Sequence, residues 1–137
     1  MAQDIKLIGF NLTKISAIKN PNFKGALDIK SNVNIKGIDK HRLELSKQDA
    51  IKIDFAFNID YKELGSISLE GTMFVLPDLK TLKQILSEWK DKKINSEINV
   101  ALMNIILQKV SLKAFQIEEE LGLPIHIQLP HIQLKKE

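Results

Sequence analysis

Asn95-Ser-Glu-Ile-Asn-Val-Ala-Leu-Met-Asn-Ile-Ile-Leu-Gln-Lys-Val-Ser-Leu-Lys-Ala-Phe-Gln-Ile-Glu-Glu-Glu-Leu-Gly-Leu-Pro124 runs into the alternating tail Ile125-His-Ile-Gln-Leu-Pro-His-Ile-Gln-Leu134. Its first part reads as one helix of about 26 residues and about 39 Å. Ser96 is the expected N-cap, Gly122 supplies the left-handed residue past the end, and Pro124 prevents continuation. At about 100° per residue the apolar side chains form two faces, Ile98, Ala101, Leu102, Ile105 and Leu112 on one, and Met103, Ile106, Val110, Ala114, Ile117 and Leu121 on the other. Glu97, Asn104, Gln108, Ser111 and Glu118 make a polar stripe, and Glu118-Glu-Glu120 reads as a solvated charge run. The amino-terminal half is too apolar to be covered by one sheet, so either the rest of the subunit or a second subunit must complete it.

Upstream the hydrophobic period changes from helical to two. Residues 5 to 18 alternate, break and restart (Ile5 and Leu7, then Ile8, Phe10 and Leu12, then Ile15 and Ala17), which predicts a bulged edge strand. Asn20-Pro-Asn-Phe-Lys-Gly25 is a loop, and Phe23 in it either tucks onto the core or is offered to a ligand. A second strand is expected from Ala26 to Ile38, a third from Ile51 to Tyr61 and a fourth from Ser66 to Leu76, joined by short connections at Gly37 to Gln48 and Lys62 to Gly65. Each has one dry and one wet face, the pattern of an antiparallel sheet. Asp78 caps a short helix to about Asp91, with Leu82, Ile85, Leu86 and Trp89 at helical spacing. Strands followed by helices predict a single α+β domain over residues 1–137: a four-stranded antiparallel sheet covered by one short and one long carboxy-terminal helix.

The chain has 137 residues, no cysteine and a net charge of +3. No thiol-ligated metal is expected, no signal peptide is apparent, and a cytoplasmic protein without membrane insertion is the expectation. Lysines and acids are interspersed, apart from the short cluster Lys90, Lys92 and Lys93, which argues against nucleic-acid binding. His126 and His131, five residues apart in an extended tail, are poorly placed for one metal. No histidine–carboxylate pair, nucleophile elbow or phosphate loop is evident, so neither catalysis nor a cofactor is expected.

The element order and Gly122-Leu-Pro-Ile-His-Ile-Gln-Leu-Pro-His-Ile-Gln-Leu134 resemble the protein-export chaperone SecB and its SecB-like relatives. Phe10-Asn-Leu-Thr-Lys-Ile-Ser16 with Asn20-Pro21 is similar to that family's first strand and following loop, and Ser68-Leu-Glu-Gly-Thr-Met-Phe-Val75 to its fourth. The resemblance implies an ATP-independent holdase that takes unfolded or pre-secretory client polypeptides into apolar grooves, for which Phe23, Phe55, Phe57 and Trp89 are the candidates. It also implies a homotetramer, a dimer of dimers, with first strands paired through Phe10 and Leu12 and long helices packed through Ile98, Leu102 and Ile105. The wet face mixes Lys30, Lys36 and Lys52 with Asp54, Asp60 and Glu70 where the export chaperones are acidic. That departure puts docking to the motor SecA in question and leaves a toxin–antitoxin partner equally open. The competing reading is a helix-grip carrier of a small apolar ligand.

Overall fold

The computed structural model describes residues 5–94 and 96–126. In chain order the elements are β1 (Ile5–Lys19), β2 (Lys30–Arg42), β3 (Asp49–Asp60), a 3-10 turn (Lys62–Leu64), β4 (Gly65–Pro77), α1 (Leu79–Trp89) and α2 (Ser96–Leu121). The sheet is four-stranded with order β1-β4-β3-β2, antiparallel throughout. Strands β2, β3 and β4 form a meander, while β1 lies at the edge beside β4. Residues 20–29 therefore cross from one sheet edge to the other, a Greek-key connection taken in reverse.

Bulges decide which side chains face inward. On β1 the register with β4 shifts between Leu7 and Gly9 and again between Leu12 and Lys14. Each extra residue resets the alternation, so Leu7, Phe10, Leu12 and Ala17 all stand opposite inward residues of β4. A third bulge, between Ile35 and Gly37, corrects the expected second strand. That strand begins at Lys30 rather than Ala26 and runs through Gly37 to Arg42. The extra residue keeps Val33 and Ile35 inward and turns Ile38 into the core as well. Leu27 falls in the crossover, 49% exposed. The β2–β3 turn is correspondingly short, closed by the Leu43 N–H to the Gln48 carbonyl at 2.7 Å.

On the dry face Ile51, Ile53, Phe55, Phe57 and Ile59 of β3 oppose Val75, Met73, Gly71, Leu69 and Ile67 of β4. All are buried and, with the inward residues of the helices, form one apolar cluster. Gly71 stands where β1 and the Phe55 ring converge. A Cβ there would lie 2.4 Å from the Asn11 carbonyl oxygen and 2.8 Å from Phe55 Cζ. On the wet face Glu70 receives Lys36 at 3.2 Å and Lys14 at 3.4 Å. Lys36 first, and then Lys14, holds its carboxyl below the usual range. Such exposed pairs contribute little to stability.

Asp78 caps α1 as expected, accepting the Thr81 N–H at 2.7 Å. That bond holds the Asp78 carboxyl below its ordinary value. α1 ends at Trp89, two residues sooner than Asp91, because the Lys92 N–H turns back to the Trp89 carbonyl at 2.8 Å. α2 has its expected span and its expected stop. Gly122 has φ +70°, and the Leu123 N–H reaches back to the Glu118 carbonyl at 2.8 Å, which closes the carboxy-terminal turn. The Ser96 side chain and the tail from residue 127 lie outside the described residues.

The burial of α2 follows neither sequence-drawn face alone. It runs along the row of fourths Ile98, Leu102, Ile106, Val110 and Ala114, and then takes in Ile117 and Glu118. Each step of four advances the contact by about 40° round the axis, so the helix begins buried on one face and ends on the other. Residues 97–121 have the length and hydropathy of a bilayer span. Ile98, Leu102, Ile106, Val110 and Ala114 are nevertheless wholly enclosed against the protein's own core.

Gly71→Ala is expected to destabilise the protein by about 1–3 kcal/mol, because the obstructing atom belongs to the backbone of β1 and cannot rotate away. Chemical denaturation measures it, the midpoint falling with an unchanged slope. Gly25→Ala, where the added Cβ would meet only the edge of the Phe23 ring at 3.3 Å in an exposed loop, serves as the control.

Candidate functional site

The two halves of the helical layer end in different environments, and each sequence-selected residue takes its character from where it lies. Phe55 and Phe57 are each 1% exposed and belong to the core. Phe10 stacks on Phe55 with ring centroids 5.1 Å apart. Neither β3 ring is therefore presented to a client from the folded subunit, which corrects their placement in a groove. The cause is the inward register of β3, which is shared by every odd position from Ile51 to Ile59. Phe23 is half-buried in the crossover, next to a turn in which its N–H meets the Asn20 carbonyl at 3.3 Å. Trp89, at the end of α1, is half-buried on the core with the Lys92 ammonium 4.8 Å from its ring centroid.

The helix residues selected for an interface are similarly redistributed. Ile98 and Leu102 are 0% exposed within one subunit, so the premise that a two-layer subunit leaves them uncovered does not hold. Ile105 is half-buried and packs against the core. Apolar surface stays open elsewhere: Val100 and Leu112 on α2, Ile15 and Ile18 near the end of β1, and Leu27 in the crossover. Phe10 and Leu12 on the edge strand are half-buried.

Among the described residues, surface clefts lie at both ends of α1. One, of about 570 Å³, lies at its start among Lys6, Lys47, Asp49, Leu76, Leu79 and Leu82. The other, of about 550 Å³, lies at its end, where Ile35 of β2, Trp89, Lys92, Lys93 and Ile94 meet Met103 of α2.

A buried polar cluster at the far end of α2 was not anticipated. Glu118, expected on a solvated face, is wholly buried, whereas Glu119 and Glu120 are exposed. Its carboxylate accepts the Tyr61 hydroxyl and the His126 N–H, the latter at 3.0 Å, and stands 2.9 Å from His126 Nδ1. His126 Nε2 lies 3.4 Å from Ser111 Oγ, and Phe57 meets the imidazole edge-on with centroids 5.8 Å apart. Thus a histidine–carboxylate pair does exist, eight residues apart across the helix stop. The signal for it lay in the spacing, because Glu118 continues the row of fourths from Ile98 through Ala114.

The order Ser111, His126, Glu118 has the connectivity of a nucleophile triad, and it also ties separate segments of the chain together. Ser111 lies in the body of α2, where the amides are committed to the helical ladder, so the helix itself offers it no oxyanion hole. The Ser111 hydroxyl can donate or accept, so it satisfies Nε2 in either protonation state. The cluster clips the end of β3, the last turns of α2 and the chain at His126 together. Among the described residues no group of three or more histidines, aspartates and glutamates is arranged to hold a metal.

No protein-family model matches this chain, and no curated protein matches it. Among solved structures it is similar to a SecB-like chaperone of Mycobacterium tuberculosis, solved in complex with a ChAD peptide from the HigA1 antitoxin. The TM-score is 0.47 and the identity 11%, over 96% of this chain and 93% of that one.

Burial above all, then the hydrogen bond to Glu118 and its charge, pushes the Tyr61 phenol far above its ordinary value. A raised folded-state pKa means that the stabilisation is complete below the unfolded value of about 10 and is lost as pH rises beyond it. Tyr61 is the single tyrosine of the chain, so tyrosinate absorbance reports on it alone. The phenol should stay protonated through pH 11 and ionise only together with unfolding. Tyr61→Phe should cost about 1.5–3 kcal/mol at neutral pH, since it withdraws a hydrogen bond from a buried charge, and should flatten the alkaline loss of stability.

Proposed function

We propose that the protein is an ATP-independent holdase chaperone of the SecB-like kind, which sequesters apolar segments of unfolded or pre-secretory polypeptides. The observation that carries this reading is the apolar side chains left open on the edge strand and in the crossover after it: Ile15, 52% exposed on the dry face, Ile18, 65% exposed on the wet face, with Leu27 exposed and Phe23 half-buried in the crossover. Apolar surface left open along one edge marks a place where another polypeptide is bound. Supporting it are the sequence resemblance and the realised order of elements. Burying three or four client side chains at about 1.5–3 kcal/mol each allows micromolar affinity after the ordering cost of the client.

The same edge strand motivates assembly. β1 is a 15-residue edge strand. An edge of that length is normally covered or paired, and pairing with the β1 of a second copy is the economical solution. A homotetramer formed as a dimer of dimers is therefore part of the proposal, its second interface using Ile105 and the open Val100 and Leu112 of α2 rather than the enclosed Ile98 and Leu102. A cytoplasmic location, and service to protein export or to a toxin–antitoxin pair, belong to the same proposal. The helix-grip carrier is disfavoured, because α2 contributes its buried row to one filled core and both clefts described lie outside that core.

Light scattering of a diluted, denatured client tests the activity. Suppression of aggregation is expected at near-stoichiometric ratio, without nucleotide, and persisting in high salt because apolar burial is not screened. The combined change Ile18→Ser, Phe23→Ser and Leu27→Ser should weaken it by at least about tenfold, the equivalent of losing about 1.4 kcal/mol of apolar burial. Absence of suppression with several unrelated clients would defeat the holdase reading.

Sedimentation at micromolar concentration tests the assembly. A tetramer is expected, and Ile15→Lys should reduce it to a lower order by placing an unpaired charge in a dry contact. A monomer throughout that range removes the tetramer.

A further inference from the structure

The cleft at the end of α1 differs in chemistry from the apolar side chains open on β1 and in the crossover. Its floor is Trp89, Ile35, Ile94 and Met103, and its polar rim consists of Lys92, Lys93, Asn34 and Asn99, with no carboxylate among the lining residues. The nearest acids in sequence are placed otherwise: Glu88 accepts Gln84 Nε2 at 3.0 Å, and Asp91 and Glu97 are exposed outside the lining. Lys92 is held in the left-handed region at φ 59°, with its ammonium poised over the Trp89 ring. β2 is the outermost strand of the sheet on this side, so one row of its backbone donors and acceptors faces no other strand among the described residues. An apolar floor and a cationic rim meet in one cleft, beside a strand that is outermost among the described residues.

We infer that this cleft is a docking site for an extended polypeptide segment in which a large apolar side chain is flanked by a carboxylate. The apolar side chain enters over Ile35 and Met103. The carboxylate meets Lys92 and Lys93, and the segment's backbone adds to the free edge of β2. Charge complementarity selects the occupant, since a basic segment would meet two ammonium groups with no counter-charge in the lining. A nucleic-acid base is the poorer fit, because Trp89 is half-buried on the core and the Lys92 ammonium already lies over its ring. The inference rests on the holdase reading and names a preferred class of client for it.

Trp89 is the single tryptophan of the chain, so its emission reports on this cleft alone. The experiment titrates the full-length protein with three synthetic peptides free of tryptophan and tyrosine. They share one leucine-rich frame, and their flanking positions are glutamate, glutamine or lysine. A saturating change in Trp89 emission is expected with the glutamate peptide, whose affinity should exceed that of the lysine peptide by about tenfold at low salt, a ratio that approaches one at high salt. The combined change Lys92→Glu and Lys93→Glu alters two exposed side chains of a linker, and an unchanged circular dichroism spectrum verifies folding. It should reverse the preference. Equal affinity for the three peptides, binding without a change in emission, or displacement of the peptide by single-stranded DNA would each overturn the cleft assignment. None of these outcomes bears on the holdase reading, which stands or falls with aggregation suppression, and suppression of acidic and basic clients alike by the Lys92→Glu, Lys93→Glu variant would separate the two.

Discussion

A carboxylate with no exposed surface is the constraint around which the rest of this structure is arranged. Glu118 lies at the junction of three segments, and from α2 it takes hydrogen bonds from the other two: the hydroxyl of Tyr61 just past β3, and the backbone and ring of His126 beyond the helix stop. A buried charge stripped of a partner is far more costly than the pair is stabilising, so such a group specifies register more strongly than it adds stability. Here it sets how far α2 may slide along the sheet, because only one position brings Glu118 to the end of β3. It also fixes the direction in which the chain leaves Gly122. The apolar contacts of Ile106, Val110 and Ala114 supply the larger share of the stabilisation, but contacts of that kind would tolerate a shift by one turn. The carboxylate does not.

Given that anchor, the burial of α2 along a row of fourths has a simple consequence. A helix whose contact line turns about 40° at each step cannot keep one apolar face against the core over its whole length. Face residues that are inward early become outward later, and the reverse. Leu112 shares a sequence-drawn face with Ile98 and Leu102, yet it is 66% exposed while they are enclosed. The exposed apolar positions on which the holdase reading draws are thus partly a by-product of the geometry that seats the helix. On the sheet the bulges act likewise: they turn Leu7, Phe10 and Leu12 inward, and the strand then ends with Ile15 and Ile18 open.

Much of the fold was legible because period, caps and stops agree. The two bulges of β1 announce themselves as breaks in alternation, Asp78 caps α1, and Gly122 ends α2 with the positive φ that its position demands. The start and end of β2 were misjudged because a bulge at Lys36 looks in sequence like the end of a pattern rather than its resetting, and Gly37 reinforces that impression. Ile98 and Leu102 were assigned to a partner because faces drawn at a fixed angle ignore how the contact line turns. Glu118 was hidden by composition: three successive glutamates read as solvent-facing, and only the spacing from Ile98 marks the first of them as inward. Phe55 and Phe57 entered the groove only through the family resemblance; their place in the clean alternation of β3 reads as plain core, and that is where they lie.

The two ends of α2 consequently do different work. From Met103 at the cleft to Glu118 in the polar cluster is about 22 Å of helix, and the anchoring interactions lie at the second end. The first end is joined to α1 by a lysine-rich linker with a left-handed residue at Lys92, and Ile35 and Trp89 are only half-buried beside it. Ile98 and Leu102 are enclosed at this end too, so on the holdase reading adjustment to varied side chains falls to the linker and to the half-buried Ile35 and Trp89 rather than to the seat of α2. A binder of many sequences requires that division. Its recognition surface must tolerate different shapes, while the element bearing that surface is held in place by an interaction that tolerates none.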